Sequence, residues 1–326
     1  SGSILQLINL VVGICIYIPF IRRSEQKETA EFQQIVRQME QDMEAGESSG
    51  NLPLFLSHKY PYNYYAKTLS LDLKNALHRG QVDFFYQPQI SREGNIHGIE
   101  ALLRWQHPVT GYISPPVIFA LAYEGGFLNE LNSYLLNRAC NDARILDPQL
   151  ENDLILSINI SAKQIEENGF FDNTYMVLKE TQLSRIHFAL EITERSAMKI
   201  TDSLMDDIKR LQNNGISFSL DDFGMGHNSI LYLQEGIFDE VKLDGHLVTQ
   251  LPGNGRSRDI ISGIIRMARS LDLRILAEYV ETKEQRDILA ELGCGFYQGY
   301  YYSRPLPMDK LVEYIKTAGN TAEGQR

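Results

Sequence analysis

Three cysteines in 326 residues are too few and too scattered to staple a fold. Cys15, Cys140 and Cys294 show none of the paired spacings that disulfide scaffolds or zinc sites use. That scarcity fits a reducing, cytosol-facing environment. Cationic side chains are also short, with 31 Lys and Arg against 42 Asp and Glu and a net charge of −11. A duplex-binding surface depends on Lys and Arg displacing phosphate counterions, so DNA and RNA polymers are not expected as partners. Any phosphate ligand needs its charge offset by something else. Missing too is a G-x-G-x-x-G after an early strand pattern, which argues against a doubly wound dinucleotide sheet. No long Pro, Gly or Ser linker appears beyond residue 65.

What remains is ordinary for a globular chain, 43% hydrophobic and 22% charged. At roughly 150 residues per domain, the length suits two domains, or one barrel of about 250 residues with something smaller attached. The run from Ile4 to Ile21 (ILQLINLVVGICIYIPFI) carries no charge and then meets Arg22 and Arg23. It is just long enough to span a bilayer, and Arg22, Arg23 and Lys27 would place the rest of the chain in the cytosol. A cleaved signal peptide fits less well, because no basic region precedes the run and no small-residue site follows it. A buried core helix is the competing reading. Without an initiator Met, the chain is expected to begin partway through a longer membrane protein.

From Ser24 to about Gly50 the chain is rich in Glu, Gln and Lys, with Phe32, Ile35, Val36, Met39 and Met43 at helical spacing. This narrow apolar stripe suits either pairing between two chains or a connector helix leaning on a neighbour, the commoner arrangement. Beyond it, apolar runs alternate with helical patterns. The runs begin at Val82, Ile99, Leu154, Phe188, Ile216, Phe238, Leu273 and Gly295; helices are predicted over Asn129 to Leu146, Asp202 to Asn213, Arg256 to Leu271 and Lys283 to Leu292. Repeated strand–helix units over about 250 residues predict a (β/α)8 TIM-like barrel.

Polar residues interrupt these strands near their C-terminal ends: Asn159, Glu191, Asp221 with Asp222, Lys242, Glu278 and Gln298, with Glu100 inside the second. Singly, each has a bland reading, an Asp as a helix cap or a Glu as a solvated loop charge. In a barrel, however, those ends converge on one face. Converging carboxylates repel one another unless cations sit among them. Oxygen donors without a His or Cys set favour Mg²⁺ or Mn²⁺ over zinc.

Glu100-Ala-Leu-Leu-Arg104, preceded by Tyr86-Gln87-Pro88, resembles the signature of the EAL family of cyclic di-GMP phosphodiesterases. The match continues in order through Asn159 in SINIS, Glu191 and Glu194 in EITE, Asp221-Asp-Phe-Gly224, Lys242 in VKLD, Glu278 in AEYVE, and Gln298-Gly-Tyr300 before Ser303-Arg-Pro305. The resemblance implies hydrolysis of cyclic di-GMP to linear pGpG with two divalent ions. Glu100, Asn159, Glu191 and Asp221 would hold one ion, and Asp221 with Asp222 and Glu278 the other. Lys242 would orient the attacking water or offset charge, and Glu278 could instead be the general base; the two roles stay open. Together with Glu100 these make up the implied catalytic set. Gln87, Arg104 and Gln298 would meet the substrate, and Glu194 would support the loop after Asp222. A homodimer is implied by the same resemblance.

Departures accompany the match. Met225 and His227 replace a small hydroxyl residue and a Tyr in the loop after Asp222, and Tyr279 stands where the family usually has Gly. Tyr279 is expected to be costly if the position needs positive φ. Such changes leave room for an alternative in which the domain senses cyclic di-GMP, or regulates a permease, without turnover. Ile8 to Arg23 resembles the last membrane helix of lactose/cellobiose-type phosphotransferase EIIC permeases. The expected organisation is a transmembrane helix at 1–23, a helical connector at 24–65, an EAL domain at 66–317 and a flexible tail at 318–326. The expected location is the bacterial inner membrane, with the EAL domain facing the cytoplasm.

Overall fold

Runs dense in Val, Ile, Leu and Phe become strands where both faces find cover, and Leu154–Ile160 and Ile186–Thr193 are buried along most of their length. The computed structural model describes residues 26–46, 52–193, 202–224, 233 and 236–323. The run Ile4 to Ile21, Glu194, Met225 and His227 lie outside the described residues. No helix among the described residues is long and apolar enough to cross a membrane. Packing divides the chain into two units, one holding residues up to Val82 with Arg104–Leu128 and the other Asp83–Leu103 with Asn129 onward.

The first unit contains helix α1 over residues 26–46, α2 (Asn63–His78), the outer end of β2 (Ile96–His107), β3 (Gly111–Ile113) and α3 (Pro115–Glu124). Ile35, Val36, Met39 and Met43 of the apolar stripe are buried. Around that stripe, Glu40 Oε1 accepts from Ser114 N at 3.1 Å, and the Tyr60 hydroxyl donates to Asp42 at 2.7 Å. The helix thus leans on its own chain. β3 pairs antiparallel with the end of β2, Trp105 opposite Ile113; at three residues it carries too little pattern to be read from sequence.

The second unit is a barrel. β1 (Val82–Ser91), β2, β4 (Leu154–Ile160), β5 (Ile186–Thr193), β6 (Ser217–Phe223), β7 (Glu240–Leu243), β8 (Arg274–Ala277) and β9 (Phe296–Gln298) follow the order β1-β9-β8-β7-β6-β5-β4-β2, and β2 pairs back with β1 to close it. From β2 through β9 the pairings are parallel. β1 differs, running antiparallel to β9 with Gln89 opposite Gln298. The prediction of uniform βα units is corrected here for a physical reason. Only Arg92 to Asn95 join β1 to β2, closed by Ser91 N to Asn95 O at 2.8 Å, whereas a parallel pair needs a crossover of a dozen or more residues.

Helices α4 (Leu128–Leu146), α5 (Ala162–Glu166), α6 (Phe170–Thr181), α7 (Asp202–Gln212), α8 (Gly245–Thr249), α9 (Gly255–Ser270) and α10 (Lys283–Leu292) connect the strands, and α11 (Met308–Glu323) follows them. Local chemistry sets several of their starts. Asn254 accepts from Arg256 N and Ser257 N before α9, and Thr282 with Gln285 forms a capping box on α10. The stretch expected as a tail from 318 continues α11 as far as Glu323.

Candidate active site

Alternation along the strands decides which polar side chains enter the barrel. Asn159 and Glu191 are register partners on neighbouring parallel strands, and Glu191 in turn lies beside Ser219, two residues before Asp221. Glu100 lies beside Ser157, two before Asn159, and Lys242 beside Leu276, two before Glu278. Because side chains repeat every second residue, all of these share the inner face near the carboxyl ends of the strands.

Lys242 stands at the centre with its side chain fully buried. Its Nζ is 2.6 Å from Glu191, 2.9 Å from Glu278, 3.3 Å from Glu100 and 3.4 Å from Asp221. A lone buried Lys would lose its proton, since burial disfavours the charge. Here Asp221, Glu100, Glu191 and Glu278 together outweigh burial and hold the ammonium well above its ordinary range. The carboxylates diverge in response. Burial, then the neighbouring Glu100, push Glu191 well above the usual carboxylate range; burial and Asp221 do the same to Glu278, and burial raises Asp221. Burial also raises Glu100, but Lys242, Gln298 and Asn159 overcome it and hold this carboxyl low.

Amides fix Glu100 in place. Asn159 Nδ2 donates to its Oε1 and Gln298 Nε2 to its Oε2, both at 2.6 Å. Gln298 also donates to Gln87 Oε1 at 3.2 Å, and Gln87 donates to Ser303 O at 3.1 Å. Gln89, which the sequence reading missed, donates to Gln298 Oε1 at 3.0 Å and is buried. The available signal was a polar residue two positions after Gln87 on the same strand. Its space comes from Gly98, where an added Cβ would lie 2.4 Å from Gln89 Oε1.

A second grouping sits beside the first. Asp221, Asp222 and Glu278 each offer an oxygen, and the three oxygens lie within 4.8 Å of one another. Asp222 reaches it through an irregular backbone: the β6–β7 register shifts between Leu220 and Phe223, and Asp222 takes φ +56°. Its N–H turns back to Asp221 Oδ1 at 2.9 Å. Left-handed non-glycine residues cluster at ligand sites, where surrounding structure holds them. Tyr279, next to Glu278, has φ +53°, so the positive φ that makes a tyrosine costly is present. Arg104 belongs to the other unit, with its guanidinium 5.5 Å from the Tyr112 ring.

Four carboxylates around one ammonium leave a net negative charge if all are ionised. Glu191 Oε1 is buried without a hydrogen-bond partner among the described residues. An orphaned buried oxygen within an all-oxygen donor set suits a hard divalent cation.

The sequence pattern of the EAL domain family matches residues 70–305. Cyclic di-GMP phosphodiesterase NbdA of Pseudomonas aeruginosa is 35% identical over 246 residues, covering 75% of this chain and 31% of NbdA. The bifunctional diguanylate cyclase/cyclic di-GMP phosphodiesterase MucR of the same organism is 35% identical over 245 residues, 75% of this chain and 36% of MucR. The chain therefore spans about a third of the length of these curated relatives. A solved structure described as the PaMucR phosphodiesterase in complex with c-di-GMP superposes with a TM-score of 0.69 at 35% identity, covering 75% of this chain and 99% of that one. Barrel, carboxylate cluster and these likenesses agree, and the chain belongs to the EAL domain family.

Proposed function

We propose that this site hydrolyses one phosphodiester bond of cyclic di-GMP to give linear pGpG, with two divalent ions, Mg²⁺ or Mn²⁺. The observation that carries the reading is the buried cluster of Glu100, Glu191, Asp221 and Glu278 around Lys242, with an oxygen of Glu191 left unpaired among the described residues. Glu100, Asn159, Glu191 and Asp221 would hold one ion, Asn159 through its Oδ1. Asp221, Asp222 and Glu278 would hold the second. Such ions, when bound, neutralise the phosphate and lower the pKa of a water.

The chain's own groups do the rest. Lys242 keeps the carboxylates at fixed spacing and cancels one of their charges. Glu278 and Asp221 are the most accessible carboxylates of the four around Lys242, with side chains 11% and 12% exposed, so Glu278 either completes the second ion's ligands or takes the proton of an attacking water. Gln298 and Gln87 offer amides toward the substrate, while Gln89 and Ser303 set their orientation. The test is incubation of the purified chain with cyclic di-GMP and Mg²⁺ or Mn²⁺, with products separated by chromatography. Appearance of pGpG is expected, and Glu100→Gln should slow it at least about a hundredfold. Binding without pGpG would replace hydrolysis with sensing.

We also infer that the run Ile4 to Ile21 crosses the bacterial inner membrane, with the EAL domain on the cytoplasmic side. Its uncharged composition and the Arg22-Arg23 pair after it support this reading. The similarity of Ile8 to Arg23 to the end of a sugar permease supports an upstream permease domain. Recovery of the intact chain in the soluble fraction without detergent would overturn the membrane assignment. A homodimer is the assembly we propose; sedimentation at the 37.2 kDa mass of one chain would overturn it.

A further inference from the structure

We propose that Tyr279 is a stacking platform for a purine base of the phosphodiester substrate, an inference that rests on the function proposed above. Tyr279 directly follows Glu278, a member of the Asp221–Asp222–Glu278 grouping. Its backbone is held at φ +53°, a conformation that a β-carbon makes unfavourable and that glycine would adopt freely.

The ring itself is positioned by a neighbouring strand end. A Cβ added to Gly245, at the start of α8, would lie 2.3 Å from Tyr279 Cδ2, 2.6 Å from Cγ and 2.9 Å from Cε2. The ring therefore rests on bare backbone, in a place that only a residue without a side chain leaves open. Even so, the residue is 60% exposed, so the large apolar surface turned away from Gly245 meets solvent. A fixed, exposed aromatic ring beside a phosphodiester site is the arrangement by which proteins hold nucleobases, because every base has a π-face and stacking needs no charge. In a cluster this acidic, an uncharged contact also binds the nucleotide without competing for the cations.

Three variants of the full chain test the assignment, each assayed with cyclic di-GMP and with methyl p-nitrophenyl phosphate, a diester without a nucleobase. The preference for cyclic di-GMP, as a ratio of kcat/KM values, should fall about tenfold in Tyr279→Gly and change less than about twofold in Tyr279→Phe. Gly245→Ala, which displaces the ring while keeping the tyrosine, should lower the preference as Tyr279→Gly does. Equal losses on both diesters, or no loss on either, would overturn the stack. If the unaltered chain turned over neither diester, the phosphodiesterase reading would fail instead. The calorimetric dissociation constant for cyclic di-GMP then carries the same comparison, and equal affinity in Tyr279→Gly would overturn the proposal.

Discussion

Lys242 shows how one residue sets the electrostatics of its surroundings. Its place near the end of a β-run was legible in the VKLD segment, but its four carboxylate partners come from three different strands and the residue that follows a fourth, and could not be read from sequence order. Removing one partner of a buried ion pair leaves an uncompensated charge and typically costs about 3–5 kcal/mol. Lys242→Met is expected to lose about that much stability in urea titrations at pH 8 without divalent ions. The loss should shrink at pH 5, because Glu191 and Glu278, already held above their usual range, then take up protons. An equal loss at both pH values would mean that Lys242 acts by volume alone. Asp222 and Tyr279 mark the limit of residue-level reading, since nothing in their local sequence demands φ of +56° and +53°.

At the scale of elements, the apolar runs identified each of the eight barrel strands described, and their ends moved by only a few residues. Strand direction was a different matter. The four residues between β1 and β2 gave a hairpin, and register with β9 then brought Gln89 opposite Gln298. Helix α1 is the other instructive element, because its stripe suited either a second chain or a neighbouring segment. In the structure Met39 is 0% exposed and Val36 2%, within a unit formed by their own chain. Met39→Ala should therefore cost about 2–5 kcal/mol in chemical denaturation of the full chain. Unchanged stability, with altered sedimentation, would show instead that the stripe pairs two chains.

Across the whole molecule, the net charge of −11 acquires a location, because part of the acidic excess is gathered inside the barrel. The consequence for stability has a definite sign. Glu191 and Glu278 are raised well above their ordinary value of 4.5, so the metal-free folded state binds more protons than the unfolded one just above that pH. Their contribution is complete below about pH 4.5 and is lost as pH rises through the elevated values. Divalent ions need the ionised carboxylates and bind the folded state, so they act in the opposite direction. The rise in Tm on adding Mg²⁺ or Mn²⁺ should accordingly be larger at pH 8 than at pH 5, as scanning fluorimetry would register. A Tm shift independent of pH would count against metal binding at these carboxylates.

By itself the sequence determined the barrel class, the carboxylates that the structure gathers around Lys242, and the family, since these follow from local periodicity and from the ordered series Glu100, Asn159, Glu191, Asp221, Lys242, Glu278 and Gln298. Tertiary structure alone decided which carboxylates share Lys242, that Gln89 orients Gln298 and that Gly245 makes room for Tyr279. Those outcomes depend on closing the sheet. Strand pairing and barrel closure bring residues far apart in sequence within contact distance, and no short window along the chain contains both partners.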